Sequence, residues 1–106
     1  MLESLEKMLA KGVDNSLLRF GLGKGYLDLK DNTKAAEHLQ RCVEFDPKYS
    51  AAWKLLGKAQ LGQGDNAGAR HAWEKGIEAV AGREKVELLF EVNRLSISYG
   101  PCNGIA

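Results

Sequence analysis

At 106 residues the chain has room for one domain and one modest core. Its 15 Lys and Arg stand against 14 Asp and Glu, which leaves no global field to draw it to a nucleic-acid backbone or an anionic membrane. No stretch approaches the roughly 20 apolar residues of a membrane span, so a soluble cytoplasmic protein with neither kind of partner is expected.

The opening MLESLEKMLAKG sets two glutamates among apolar residues and lacks the uncharged run and small-residue cleavage site of a signal peptide. Asp14, Asn15 and Ser16 then offer caps for a helix ending near Leu29, along which Leu18, Leu22, Tyr26 and Leu29 recur every three or four residues. Inside it lies GLGKGY, residues 21–26, which looks at first like a phosphate-cradling loop. The frame fails, because the third glycine position holds Tyr26 and no lysine is followed by Ser or Thr at the right distance.

Asp31 and Asn32 are the caps of a second helix running to about Phe45, and Asp46-Pro47 ends it and starts the next. GQGDN makes a turn at 62–66, with Asp65 or Asn66 capping the helix beyond. REKVELLFEVNRL places Val86, Leu89, Phe90 and Asn93 along one face of a final capping helix over 83–95. After Leu95 the chain loses helical period and charge, and residues 96–106 are expected to be a disordered tail with an exposed, oxidisable Cys102. Ile97 and Tyr99 alternate as in a strand, but no partner strand is foreseen.

An internal repeat organises these elements. Shifted by 34, residues 16–49 lie over 50–83 with nine identities and no gap, among them Leu22 with Leu56, Gly23 with Gly57, Lys24 with Lys58, Asp31 with Asp65 and Ala35 with Ala69. The spacing resembles the tetratricopeptide repeat, W-x2-L-G-x2-Y, then A-x3-F, then P. Copy one has Leu22, Gly23, Tyr26, Ala35 and Pro47, with Arg19 at the Trp position and Leu39 at the Phe position. Copy two has Trp53, Leu56, Gly57 and Ala69, with Trp73 for Phe, Gln60 for Tyr and Ala81 for Pro.

The resemblance implies an all-α, right-handed solenoid of antiparallel helix pairs over residues 1–95. Gly23 and Gly57 then become places where a partner helix crosses closely, each at about 1 kcal/mol of helix propensity. Gly21 and Gly25 have no such role in the repeat. Counted back by the same period, Leu5 matches Leu39 and Trp73, and Met8 matches Cys42 and Gly76, so residues 2–11 read as the second helix of a truncated repeat. By the same period Phe90 takes the place of Leu22 and Leu56.

Little in the chain points to chemistry. His38 and Cys42 share a helix face and could join His71 on a metal, but Cys42 holds a small core position by repeat phase and the histidines fall near the surface. Cys42 and Cys102 are expected to be free thiols. No serine or cysteine is paired with a histidine and an acid, and Trp53 and Trp73 fall on core positions, so neither an enzyme nor a cofactor is implied.

The function implied by the resemblance is protein binding, with the first helices of successive repeats lining a concave groove. The groove positions here are Leu17, Phe20, Lys24 and Leu27 from copy one and Ala51, Lys54, Lys58 and Leu61 from copy two. Three lysines among apolar side chains suit an acidic and apolar peptide or helix of a partner protein. Relatives that clamp a terminal carboxylate do so with Lys and Asn, and the asparagines of that set are absent. The alternative is a self-associating module that buries Phe20, Phe90 or the end helices against another copy; a weak nucleic-acid binder ranks third.

Overall fold

The computed structural model describes residues 2–99, with side chains to Leu95. The described residues form six helices and no strand: α1 (Leu2–Ala10), α2 (Ser16–Asp28), α3 (Asn32–Phe45), α4 (Ser50–Gly62), α5 (Asn66–Ala79) and α6 (Gly82–Tyr99). Each packs chiefly on the next along the chain, and α4 also touches α2 and α6. The first helices of successive units therefore lie side by side, as in a helical-repeat solenoid.

Helix starts follow from the capping chemistry. Asn15 Oδ1 accepts from the Leu18 amide at 2.8 Å, Asp31 from Lys34 at 3.2 Å and Asp65 from Gly68 at 2.8 Å, each satisfying an amide that has no partner in the first turn. α4 has no side-chain cap. Its entry is held instead by the Trp53 indole, which donates to the Pro47 carbonyl at 2.6 Å.

Two buried clusters make the core. One gathers Ala35, Leu39, Cys42 and Val43 of α3 with Ala52, Leu56 and Ala59 of α4 and Ala72 of α5; the other joins Ala69 and Trp73 of α5 to Val80 and to Leu88 and Leu95 of α6. Half-buried Trp53 packs against both. The glycine expectation holds at Gly23 and Gly57. A methyl at Gly23 would overlap the buried Leu39 side chain, and one at Gly57 the indole of Trp73.

Gly21 and Gly25, which the repeat does not explain, seat α1. A methyl at Gly25 would lie 2.5 Å from Leu2 Cδ2, and one at Gly21 would lie 3.2 Å from Leu5 Cδ1. The three glycines of GLGKGY thus serve different neighbours, with Gly23 facing α3 and Gly21 and Gly25 facing α1. α1 turns its apolar stripe onto α2, and Met8, which repeat phase matches to the buried Cys42, is 42% exposed.

Three further expectations change. Leu29 is 65% exposed, because α2 stops at Asp28 and Lys30 turns the chain with a positive φ. On α6, Leu88 and Leu95 are buried and Val92 is half-buried, whereas Val86 and Phe90 point to solvent. The cause is the approach to the helix: α6 begins at Gly82 (φ +66°), two residues after α5, where four residues separate α3 from α4. Two residues fewer turn the helix by more than half a turn, and the side chains that face inward are Leu88, Val92 and Leu95, which stand 36 residues, not 34, after Ala52, Leu56 and Ala59. Finally, α6 runs on to Tyr99, so residues 96–99 are helical and the strand alternative is excluded there; residues 100–106, with Cys102, lie outside the described residues.

Candidate functional site

The eight groove positions occupy α2 and α4, which touch. Leu17 is the most exposed large apolar side chain among the described residues, at 72%. Lys24, Ala51 and Lys58 are exposed and Lys54 is half-buried. Leu27 and Leu61 are half-buried and pack against the first and second core clusters respectively, so they offer only part of their surface. Phe20 stacks on Tyr49 with centroids 4.8 Å apart, tying α2 to the residue that precedes α4. The structure thus presents cations and a free leucine on adjoining helices, above a floor of core side chains. Tyr49 was missed from sequence, since nothing in its neighbours signals that a ring twenty-nine positions earlier will meet it.

A second polar assembly joins α1, α2 and α3. Arg19, at the repeat's Trp position, pairs with Asp14 through Nε at 2.7 Å and Nη2 at 3.0 Å, and its Nη1 donates to His38 Nδ1 at 3.0 Å. The bond to Arg19 holds the Asp14 carboxyl below its ordinary range. The His38 ring stacks on Tyr26 at 5.6 Å, and the Tyr26 hydroxyl donates to Glu6 of α1. Burial, reinforced by the Arg19 charge, pushes the His38 pKa down, so the imidazole is the neutral acceptor that the Arg19 contact requires. Repeat phase put His38 near the surface without a partner; the fold sets it against Arg19.

The other candidates for chemistry separate. Cys42 is buried, its Sγ donates to the Ser16 carbonyl at 3.2 Å, and burial pushes its pKa up to about 11, which suppresses the thiolate. His71 is exposed on α5, and among the described residues no group of three or more His, Cys, Asp or Glu converges as metal ligands. Trp73 is core, 1% exposed, and donates to the Lys54 carbonyl at 3.1 Å. Trp53 is only half-buried and lines an open depression of about 410 Å³ between α3 and α5, with Val43, Pro47 and Ala79 at its apolar side and Glu44, Lys75 and Glu78 around it. No described helix is long and apolar enough to cross a membrane.

Comparison with known proteins agrees with this architecture. The tetratricopeptide repeat family matches residues 20–84. The chain is 74% identical over 81 residues to a TPR repeat-containing protein of Pseudomonas aeruginosa, a match covering 76% of this chain and 77% of that one. It is 52% identical over 46 residues to a heat-shock cognate co-chaperone of Aspergillus fumigatus, covering 43% of this chain but 14% of that protein. A solution structure of a protein from Bordetella parapertussis superposes with a TM-score of 0.75 at 44% identity, covering 95% of both chains. With two 34-residue units in phase, paired helices closed over Gly23 and Gly57, and a family match across both units, this chain belongs to the tetratricopeptide repeat family.

Proposed function

We propose that the protein is a cytoplasmic adaptor without catalytic activity, which binds a peptide or helix of a partner protein across α2 and α4. Repeats of this family generally serve protein–protein interaction, and a relative over 46 residues is a co-chaperone. The observation that carries the specific reading is the stripe itself: exposed Lys24 and Lys58 at equivalent positions of touching helices, with Lys54 one turn before Lys58 and exposed Leu17 two turns before Lys24. A segment that alternates acidic and apolar side chains would meet a cation and an apolar surface at each repeat. Phe20, Leu27, Ala51 and Leu61 complete the surface, and the charges act mainly through orientation and encounter rate.

The test is affinity capture from lysate with the wild-type chain and with a Lys24→Glu, Lys54→Glu, Lys58→Glu variant, both first shown to be helical by circular dichroism. A partner kept by the wild type and lost at least about tenfold by the variant supports the stripe as the binding surface. Equal retention by both moves the site off α2 and α4.

A further inference from the structure

Among the described residues, α6 packs on the body of the solenoid with only one of its faces. Leu88 and Leu95 are buried against the body, while on the opposite side Val86 and Phe90 are 63% and 64% exposed and Leu89 is 42% exposed. Spacings of three and four residues make these one stripe. The N-terminal end is finished differently: α1 spends Leu2 and Leu5 on Gly25 and Gly21 and turns Glu3, Ser4 and Lys7 outward. A head-to-tail string of copies would set an apolar face against a polar one. Self-pairing of the C-terminal ends would not.

The flank of the stripe carries the charges that such pairing needs. Glu87 and Arg94 are seven residues apart, two turns of helix, so they share a flank at a separation of about 10.5 Å along the axis. When two copies of α6 run antiparallel about a twofold axis, like flanks meet. With the axis level with Phe90, each Glu87 comes opposite the second copy's Arg94, twice over. Phe90 then lies beside the axis against its own counterpart, and Leu89 meets Leu89 on the other flank. A parallel pair would instead turn Glu87 towards Leu89.

Arg94 is already oriented for this. Its Nη2 donates to both oxygens of the buried Glu91 at 3.0 and 3.1 Å, and its guanidinium lies 5.6 Å from the Phe90 ring. A guanidinium has five donors in a fixed fork, enough to engage a second carboxylate.

We infer that the protein forms an isologous dimer through antiparallel pairing of α6 about Phe90, on a surface separate from the α2 and α4 stripe. The patch is small, which puts the affinity at the weak end of specific interfaces. Light scattering and sedimentation of the full chain from about 10 to 500 μM bracket that regime.

The weight-average mass is expected to climb from 11.6 kDa towards twice that value. Phe90→Glu should move the transition at least about tenfold higher in concentration, and Glu87→Arg should weaken it as well. An equimolar mixture of Glu87→Arg and Arg94→Glu chains should recover dimer, since opposite charges then meet at both contacts. Because Arg94→Glu also strips Glu91 of its partner, a second measurement stands apart from it. In a Cys102→Ser background, Leu89→Cys should cross-link to itself on oxidation, whereas Val13→Cys, exposed at the other end, should not. A mass of 11.6 kDa throughout the range overturns the dimer, as does a dimer indifferent to Phe90→Glu.

Discussion

The indole of Trp73 lies directly over Gly57, and its Nε1 reaches past that glycine to the Lys54 carbonyl at 3.1 Å. The contact joins the two helices of the second repeat through the largest fully buried side chain among the described residues. It is possible only because position 57 has no β-carbon. Leu39 over Gly23 is the same arrangement in the first repeat.

Gly57→Ala is therefore expected to destabilise the protein by about 1–3 kcal/mol, since overpacking outweighs the gain in helix propensity. Urea unfolding followed by circular dichroism checks it. A variant as stable as the wild type would mean that Trp73 has room to move.

Gly25→Ala should act on a smaller unit. The added methyl would press on Leu2, whose side chain is half-buried at the end of α1, and α1 contains no fully buried residue. Hydrogen exchange should accelerate across residues 2–10 while α3 to α5 keep their protection. Uniform acceleration over all helices would show that α1 and the repeats unfold as one.

His38 makes stability depend on pH. Burial and Arg19 lower its folded pKa below the unfolded value near 6.5, so the folded state binds fewer protons. The contribution is complete above that unfolded value and is lost as pH falls through the folded one. Asp14, also lowered, adds a further loss at more acidic pH, below its ordinary 3.8. Thermal midpoints of the wild type should fall from pH 7 to pH 5, with a shallower fall in His38→Gln. Identical slopes would remove His38 from the account.

Cys42 should be unreactive while the protein is folded. With its pKa pushed up to about 11 and its sulfur buried, the thiolate at pH 8 is suppressed roughly a hundredfold or more relative to an ordinary thiol. In a Cys102→Ser background, a thiol-reactive chromophore is expected to label Cys42 at the rate of global unfolding, and promptly in denaturant. Prompt labelling of the native protein would show that α2 and α3 part locally.

The repeat, its helices and the glycine contacts were legible in the sequence because they depend on local signals that recur: a cap at Asp31 and Asp65, a small residue at 23 and 57, and a large one opposite at 39 and 73. The eight stripe residues could be named by repeat phase. The surface each offers came only with packing, which half-buries Leu27 and Leu61 and ties Phe20 to Tyr49.

Burial on α1 and α6 was decided by tertiary structure, because these two helices do not keep the packing phase of the repeats between them. At the N-terminus, α1 rotates to cover Gly21 and Gly25, which leaves Met8 exposed. At the C-terminal side, the turn through Gly82 is two residues shorter than the one before α4, which turns the helix and puts Phe90 outside instead of in the core. A 34-residue period specifies which residues are equivalent. Only the packed chain specifies where α6 points them, since two residues of linker rotate a helix by more than half a turn.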